Sequence, residues 1–355
     1  MAMVTSPMET QAHLMNKKVA IVILNWNGKP YLEKFLTSVC SSTYPKLEIV
    51  VGDNSSTDGS VAYIQQRFPQ VNIIQNQENY GFAEGYNLIL KQVKADYFIL
   101  LNSDVEVGGN WIAPLIELME NDPAIAAAQP KIRSYRDNAS FEYAGAAGGY
   151  IDCLGYPFCA GRILDTVEVD KGQYNQTREI FWASGAALFI KQEAWARVGG
   201  FDKDFFAHME EIDLCWRLKL LGYKIYYCSA TSVYHVGGGT LSKENPFKTY
   251  LNFRNSLFML QKNLPAIKAV FVIFIRFWLD FLALIRFLLA GQKKDALAIS
   301  KAHISFFRNF AKTRRKRQQI RQKTATTGVY KASIIWAYFV LGRKKFSQLN
   351  RKKFR

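Results

Sequence analysis

The chain has 355 residues, 49% of them hydrophobic, which is enough for the core of one large α/β domain and a substantial further segment. Its net charge of +17 is uneven: residues 262–355 carry 23 lysines and arginines against two acids, whereas residues 1–261 carry 23 basic and 27 acidic side chains. This composition excludes a disordered or low-complexity chain and assigns the basic character to the C-terminal part.

Neither the cysteines nor the first residues point to export. The five cysteines are an odd number without Cys-x-x-Cys or histidine-linked spacing, which disfavours a disulfide framework or a zinc site and favours a reducing compartment. Residues 1–16 contain no apolar stretch of the signal-peptide type, and we interpret them as a loose leader.

Strand, loop and helix alternate three times in the first third of the chain. Continuous apolar runs predict strands at 18–24, 47–51, 71–75 and 97–101, and amphipathic patterns predict a helix after each of the first three. Alternation at roughly 30-residue spacing is typical of a doubly wound, mostly parallel sheet. The sequence therefore predicts an α/β fold with a Rossmann-like nucleotide-binding half.

A polar cluster follows each predicted strand. The clusters are Asn25-Trp26-Asn27, Asp53, residues 79–87, and Asn102-Ser103-Asp104. Ligands of such sheets bind outside the carboxyl ends of the strands, so we expect these clusters to line one crevice. The first strand is followed by no Gly-x-Gly-x-x-Gly motif, and the chain has no Walker motif. An acidic crevice can still bind a diphosphate when Mg²⁺ or Mn²⁺ lies between them.

Six motifs resemble, in the same order, those of inverting family-2 glycosyltransferases with the GT-A fold, in the form common in the rhamnosyltransferase-like branch. They are DNSSTDGS, NYGFAEGYN, LNSDV, SGAALFIKQEAWARVGGFD, EEIDLCWR, and VYHVGGGT followed by YLNFRN. Each motif alone is weak, and their order makes a chance match improbable. The resemblance implies a GT-A glycosyltransferase domain over residues 17–263 and a C-terminal helical, basic extension over residues 264–355.

The resemblance also implies a divalent cation, Mn²⁺ or Mg²⁺, bound by Asp104 and His235. A turn residue that caps the next helix is the alternative for Asp104, but the turn signal Gly108-Gly109 comes four residues later. Asn102 stands where the fuller motif has its first carboxylate, and it better suits the ribose or a phosphate. For His235 the alternative is a structural histidine.

The donor nucleotide is expected, by the same resemblance, at residues near the ends of the strands. They are Leu24, Trp26, Asp53, Asn79, Asn102 and Ser103. Asp53 would accept a hydrogen bond from the base, and the alternative is that it forms an Asx turn or caps a helix. For Asp58 we favour this structural alternative. Trp26 is expected to stack on the base or to be an ordinary aromatic after a strand. Arg254 would neutralise the diphosphate, or else be an exposed helix arginine.

Transfer of a sugar with inversion is a single in-line displacement that needs a carboxylate base. The resemblance assigns this base to Glu211, at the start of an amphipathic helix. The acceptor or sugar side is assigned to Gly185, Ala186, Glu210 and Asp213. Acids in a first helical turn are also favoured by the helix dipole, and Asp213 is spaced to pair with Arg217. The stretch FWASGAALFIK around Gly185 and Ala186 equally fits a tightly packed buried strand.

The tail is basic and amphipathic. The apolar stretch 269–290 is interrupted by Arg276, Asp280 and Arg286, each of which costs roughly 2.5 to 3.5 kcal/mol at the centre of a spanning helix. We therefore interpret it as a helix that lies on a membrane surface or packs against a partner, with Arg276 and Asp280 paired on one face. The basic clusters behind it favour a cytoplasmic enzyme bound to the anionic inner face of the cell membrane.

Two functions of different class follow. The first is a glycosyltransferase that moves a sugar, with dTDP-rhamnose as the favoured nucleotide-sugar donor, to a hydroxyl of a saccharide or lipid-linked acceptor, without nucleic acid as a partner. The alternative is a non-catalytic nucleotide-sensing domain whose basic tail binds nucleic acid. That alternative needs a basic groove lined by aromatic side chains, whereas here Phe and Leu lie in amphipathic stretches.

Overall fold

A computed structural model describes residues 16–237, 245–318 and 327–355. The leader predicted for residues 1–16 therefore lies outside the described residues except for residue 16, as does part of the Gly-rich loop after His235. The strands are β1 (Val19–Asn25), β2 (Leu47–Asp53), β3 (Asn72–Gln75), β4 (Tyr97–Leu101), β5 (Val105–Glu106), β6 (Ile125–Ser134), β7 (Gly149–Asp152), β8 (Pro157–Cys159), β9 (Arg162–Ile163), β10 (Thr166–Val167), β11 (Arg178–Ile180), β12 (Ala187–Lys191), β13 (Lys224–His235) and β14 (Val329–Tyr330).

The helices follow the strands as the sequence predicts in the first third, and they dominate after residue 245. They are α1 (Lys29–Cys40), α2 (Ser60–Arg67), α3 (Gly81–Leu90), α4 (Ala113–Asn121), α5 (Gln192–Val198), α6 (Glu210–Leu220), α7 (Pro246–Asn263), α8 (Ala266–Leu289), α9 (Lys293–Arg308), α10 (Phe310–Gln318) and α11 (Ile334–Phe339).

The central sheet is mixed, with a parallel half. Its order is β11-β13-β6-β12-β4-β1-β2-β3, and the short β5 pairs with β13. The strands β3, β2, β1 and β4 are parallel neighbours, whereas β12 runs antiparallel to both β4 and β6. Helices cover both faces, because α3 and α6 pack on one side and α1 and α4 on the other. The predicted α/β class with a GT-A central sheet is confirmed.

The register brings distant residues to one edge of this sheet. Asn25, the last residue of β1, pairs with Asp53, the last residue of β2. Leu101, which ends β4, pairs with Ala187, which begins β12. His235 at the end of β13 pairs with Val105. Each predicted polar cluster on these strands therefore starts at the same edge.

A second, five-stranded sheet has the order β10-β9-β8-β7-β14, and its last strand comes from the end of the chain. β14 runs parallel to β7, and the rings of Tyr330 and Phe354 pack on Phe158 and Tyr150. The boundary predicted at residue 263 thus separates segments that the structure joins in one sheet. Residues 327–355 are also largely non-helical, unlike the helical tail predicted for 264–355.

The charges of α8 face inward. Arg276 and Asp280 are both buried, with Arg276 Nε 3.8 Å from Asp280 Oδ1, and the guanidinium lies 3.7 Å from the ring centre of Tyr156. His303 of α9 also contacts Asp280, at 3.0 Å. In the described parts of the chain, we find no helix with the length and apolar character needed to cross a membrane.

Candidate active site

Asp104 and His235 lie side by side at the carboxyl edge of the central sheet. After β4 ends, residues 102–104 cross this edge, and β5 then pairs with β13 so that the backbone N–H of Val236 donates to the carbonyl of Asp104. Nε2 of His235 lies 3.0 Å from Oδ1 of Asp104 and 3.3 Å from the side-chain nitrogen of Asn102. All three side chains predicted for the LNSDV and VYHV motifs at this point meet there.

This pair fits a cation that is shared with a substrate. The 3.0 Å separation of Asp104 Oδ1 and His235 Nε2 is that of a hydrogen bond, and it also lets both atoms contact one ion. If the side-chain amide of Asn102 rotates by half a turn, its oxygen takes the place of its nitrogen near Nε2 of His235. Among the described residues no group of three or more His, Cys, Asp and Glu side chains is placed to hold a metal ion, so the remaining ligands would be phosphate oxygens and water.

Glu142 is a buried neighbour of His235 that the sequence did not reveal. Its Oε2 lies 3.3 Å from Nδ1 of His235, on the side of the ring opposite Asp104. Burial disfavours the charged imidazolium, but the carboxylates of Glu142 and Asp104 outweigh it and raise the pKa of His235 to about 10. Burial raises the pKa of Asp104, and the neighbouring His235 more than offsets this and lowers it below its usual value. Glu142 stands in none of the motifs, so spacing gave no signal for it.

The predicted base-binding carboxylate, Asp53, is buried and held by its own chain. Its Oδ1 accepts from Asn25 Nδ2 at 2.9 Å, and its Oδ2 accepts from the backbone N–H of Ser56 at 2.9 Å. The contact with Ser56 is an Asx turn, which was the structural alternative to base binding by Asp53. The protein forms this turn by itself, whether or not a base is bound. A Cβ at Gly28 would lie 2.6 Å from Asn25 Oδ1 and 3.6 Å from Ser103 Oγ, which shows that Asn25, Gly28 and Ser103 adjoin.

The other predicted donor residues occupy the same edge in different ways. Trp26 is 43% exposed, so its ring is open to a stacking partner. Asn79 accepts a hydrogen bond from the backbone N–H of Gly81 at 2.9 Å and so fixes the start of α3. Leu24 is partly buried, and its backbone N–H donates to the hydroxyl of Tyr86. Only Trp26 among these three presents a large free surface.

Glu211 is connected to the Asp104–His235 pair through Gly185 and Ala186, which lie just before β12. A Cβ at Gly185 would be 3.9 Å from Cβ of Glu211, and the next residue, Ala186, accepts the backbone N–H of Asn102 at 3.1 Å. The Oε2 atoms of Glu210 and Glu211 are buried and have no hydrogen-bond partner among the described residues. Burial raises the pKa of Glu211 to about 7, and burial together with Glu211 raises the pKa of Glu210. These are the properties of a proton acceptor that works near neutral pH.

A constrained turn leads into α6. Phe206, His208 and Met209 all have left-handed backbone angles, with φ of 63°, 68° and 72°. The side-chain nitrogen of Asn255 in α7 lies within 3 Å of three carbonyl oxygens of this turn, those of Phe205, Ala207 and His208. Since α6 starts with Glu210 and Glu211, Asn255 sets the position of both carboxyl groups. Asn255 is the last residue of YLNFRN, and its role was not predicted from the sequence.

Asp213, predicted on the acceptor side, lies in a cluster of buried charges. The carboxylate of Asp213 is fully buried and accepts from Arg217 Nε at 2.8 Å, Lys262 Nζ at 2.9 Å and Asn263 Nδ2 at 2.8 Å. This cluster leaves no surface for the acceptor-side contact predicted for Asp213, whereas the spacing to Arg217 predicted the ion pair. Its charge is matched within the protein by Arg217 and Lys262, as a buried charge requires.

Arg254 is turned away from the role predicted for it. Its guanidinium donates to the carbonyl oxygens of Asp204 and Phe205 at 2.9 and 3.0 Å and to the hydroxyl of Tyr250 at 3.3 Å. In this arrangement Arg254 supports the turn before α6, and a contact with a diphosphate would require it to leave those carbonyls.

An Asp–His pair and a buried carboxyl group near the carboxyl edge of an α/β sheet are the arrangement that the resemblance to GT-A glycosyltransferases predicts. The model of the family "Glycosyl transferase family 2" matches residues 20–158. The chain is a glycosyltransferase, and its residues 20–158 are similar to those of family 2. The predicted family and enzyme class are confirmed, and the non-catalytic nucleotide sensor is thereby set aside.

Curated relatives include two rhamnosyltransferases. The N-acetylglucosaminyl-diphospho-decaprenol L-rhamnosyltransferase of Mycobacterium tuberculosis is 28% identical over 236 residues, which are 62% of this chain and 76% of the relative. Rhamnosyltransferase WbbL of Escherichia coli K12 is 24% identical over 226 residues, 61% of this chain and 83% of the relative. Both matches cover most of the relative's length.

Solved structures with the same fold include GalNAc-T7 with UDP, GalNAc and Mn²⁺, at a TM-score of 0.54 and 18% identity over 69% of this chain. The match spans about half of that protein, 48% of its chain. Staphylococcus aureus TarS 1–349 with UDP-GlcNAc gives a TM-score of 0.50 and 13% identity, covering 72% of this chain and 70% of that one. At these identities the likeness concerns the fold alone.

Proposed function

We propose that this enzyme transfers rhamnose from dTDP-rhamnose to a hydroxyl of a saccharide carried on a lipid diphosphate, by metal-assisted direct displacement with inversion. One observation carries the proposal: the Asp104–His235 pair and the buried carboxyl of Glu211 share one edge of the sheet, connected through Gly185, Ala186 and Asn102. The printed names of the two relatives, rhamnosyltransferases of which one acts on N-acetylglucosaminyl-diphospho-decaprenol, support the choice of sugar and acceptor.

The donor would lie along the ends of β1, β2 and β4. Trp26 offers an exposed ring for the base, Asp53 offers carboxylate lone pairs beside Asn25, and Asn102 and Ser103 are placed for the ribose or a phosphate. Asp104 and His235 would hold Mn²⁺ or Mg²⁺. When bound there, the cation supplies charge stabilisation for the nucleoside diphosphate as it leaves.

Glu211 would remove the proton from the acceptor hydroxyl. Its buried Oε2 has no hydrogen-bond partner in the part of the chain that the structure describes, and a substrate hydroxyl can donate to it. Because its pKa is raised to about 7, a large fraction is ionised at neutral pH while the carboxylate remains basic enough to accept the proton. Burial and the neighbouring Glu211 raise the pKa of Glu210, and the protonated form of Glu210 can donate a hydrogen bond on the sugar or acceptor side.

The acceptor lipid fits a surface on α8. One stripe of this helix is exposed and apolar, while the opposite side carries the buried Arg276 and Asp280. The stripe is formed by Ile267, Phe271, Phe274, Trp278, Leu282 and Leu289, of which Trp278 is 61% exposed. Apolar residues at this spacing beside a strongly basic segment match an anionic lipid surface. We propose that this face binds the inner leaflet of the cell membrane and keeps the enzyme peripheral and cytoplasmic.

A transfer assay tests the function directly. The enzyme would be incubated with a panel of dTDP-, UDP- and GDP-sugars and a GlcNAc-diphosphate-lipid acceptor, with Mn²⁺ or with a chelator. We expect transfer from dTDP-rhamnose that stops when the chelator is added. Transfer that is equal with and without a chelator would remove the cation from the mechanism, and transfer from another nucleotide sugar would replace the proposed donor.

A further inference from the structure

We propose that Glu142 is a positioning residue, which holds the imidazole of His235 so that Nε2 points at the cation position beside Asp104. The inference rests on the proposed function, because it takes Asp104 and His235 as cation ligands. Glu142 lies between β6 and β7 and is almost completely buried, 6% exposed. A carboxylate without a role is rarely buried, since desolvation of its charge is costly.

The carboxylate of Glu142 is fixed from two sides. Its Oε2 accepts from the backbone N–H of Ala144, within its own loop. On the other side the chain passes over it just after His235: a Cβ at Gly237 would lie 2.8 Å from Glu142 Oε1, and Gly237 has a φ of 72°. Gly237 therefore lies directly against the carboxylate, and only glycine fits at this position without strain.

The contacts of the ring determine which nitrogen is free. Nδ1 of His235 is 3.3 Å from Glu142 Oε2, an ion-pair contact without hydrogen-bond geometry among the described residues, whereas Nε2 is 3.0 Å from Asp104 Oδ1. When a cation occupies the position beside Asp104, the imidazole is neutral, with one N–H and one lone pair, and an ionised carboxylate can only accept. Glu142 therefore favours the hydrogen on Nδ1, which leaves the lone pair of Nε2 directed at the position shared with Asp104. Outer carboxylates of this kind orient histidine ligands, and their loss costs about ten- to a hundredfold in metal affinity.

Glu168 provides a matched control. It is as buried as Glu142, at 7% exposure, and its carboxylate accepts from Tyr174 Oη at 3.0 Å and from the backbone N–H of Phe346 at 2.9 Å. These contacts lie on the small sheet. Removal of either carboxylate takes a buried, hydrogen-bonded group from the fold, but only the change at 142 alters the partner of His235.

The first experiment measures the binding of Mn²⁺ in the presence of dTDP, by the electron paramagnetic resonance signal of free Mn²⁺. The full chain would be compared with E142A, E142Q, E168A and D104A. We expect about tenfold weaker binding or worse for E142A and affinity within about threefold of the parent for E142Q and E168A, because glutamine still presents an oxygen to Nδ1–H. Parental affinity in folded E142A would overturn the inference. Parental affinity in D104A would instead overturn the proposed cation site.

The second experiment reads the tautomer of His235. Nitrogen-15 spectra of the histidine rings with Mg²⁺ and dTDP are tractable because the chain has four histidines, and an H235N variant assigns the signal. We expect the Nδ1–H form in the parent and in E168A, and its loss in E142A. An Nε2–H form in the parent protein overturns the inference even if E142A does not fold.

Discussion

His235 Nε2 lies 3.0 Å from Asp104 Oδ1, although the two residues are 131 positions apart in the chain. The contact exists because β5, immediately after Asp104, pairs with the end of β13. Since the pairing is made by backbone hydrogen bonds, it persists when the Asp104 side chain is removed. Asp104→Ala should therefore abolish the stabilisation by dTDP-rhamnose that depends on Mn²⁺ and leave the fold intact, as measured by thermal unfolding and circular dichroism. Unchanged Mn²⁺-dependent stabilisation would contradict the cation site.

Replacement of Glu211 by Gln should remove the base without removing the site. General base catalysis contributes about 10²- to 10⁴-fold, so we expect kcat to fall by that factor while donor binding stays within a few-fold. In the parent enzyme kcat should rise with pH through about 7 and then level off, because burial raises the pKa of Glu211 to about 7 and the base acts when ionised. A kcat that is flat between pH 5 and pH 9 would assign the base elsewhere.

The same substitution should change stability with a defined dependence on pH. The pKa of Glu211 is raised from 4.5 to about 7, so the folded state holds this proton more tightly than the unfolded chain does. The protonated carboxyl therefore stabilises the folded state fully below pH 4.5, and this stabilisation is lost as the pH rises through about 7. Glu211→Gln cannot ionise, so it should unfold at a higher temperature than the parent at pH 8, and the gain should disappear by pH 4.5. Equal differences at both pH values would argue against a buried, destabilised carboxylate.

Asn255→Ala should impair catalysis through the turn before α6. It removes the donor that contacts the carbonyls of Phe205, Ala207 and His208, and a displacement of about 1 Å at a catalytic group can cost 10²-fold in rate. We expect kcat to fall by about ten- to a hundredfold with little change in Mn²⁺ affinity. Asn263→Ala is the control, since it removes a buried amide of the same helix that bonds to Asp213. An equal fall in kcat for both variants would indicate a general effect of lost stability.

The exposed stripe of α8 should control membrane binding. Phe274→Ser with Trp278→Ser removes two side chains that are both 61% exposed, so the free energy of unfolding should change little. Sedimentation with phosphatidylglycerol vesicles should fall strongly, while transfer to a short-chain, water-soluble acceptor is kept. Val169→Ser, an exposed apolar residue of the loop after the small sheet, is the control. Retention of the double variant on vesicles, or binding of the parent to DNA in preference to vesicles, would contradict the membrane face.

The sequence predicted the parallel half of the sheet well because its strands are local, apolar and followed by polar residues. β1 and β4 are buried on both faces, and each ends where its run of apolar residues stops. Asp104 and His235 were found by their motifs, and their contact follows from a strand pairing that no local pattern encodes. Glu142 and Asn255 were missed for a related reason: each acts through a partner far away in the chain.

Local sequence patterns also do not predict roles that depend on the direction in which a side chain points. Asp213 has the residue type and position of a site carboxylate, but it is at the centre of a cluster with Arg217 and Lys262. Arg254 belongs to the expected motif, yet its guanidinium supports a turn. Spacing along a helix predicts the i,i+4 pair with Arg217, whereas Lys262 arrives from another helix and cannot be predicted from that spacing.

The pairing of β14 with β7 makes the small sheet discontinuous in sequence, with almost half of the chain between the two strands. Closing so long a segment has a high entropic cost, so this pairing is expected to form late in folding, after the central sheet. Until then the rings of Tyr150 and Phe158 remain without the cover of Tyr330 and Phe354. Shortening the chain at residue 263 to isolate a catalytic fragment would trap that intermediate, with an open strand edge prone to self-association.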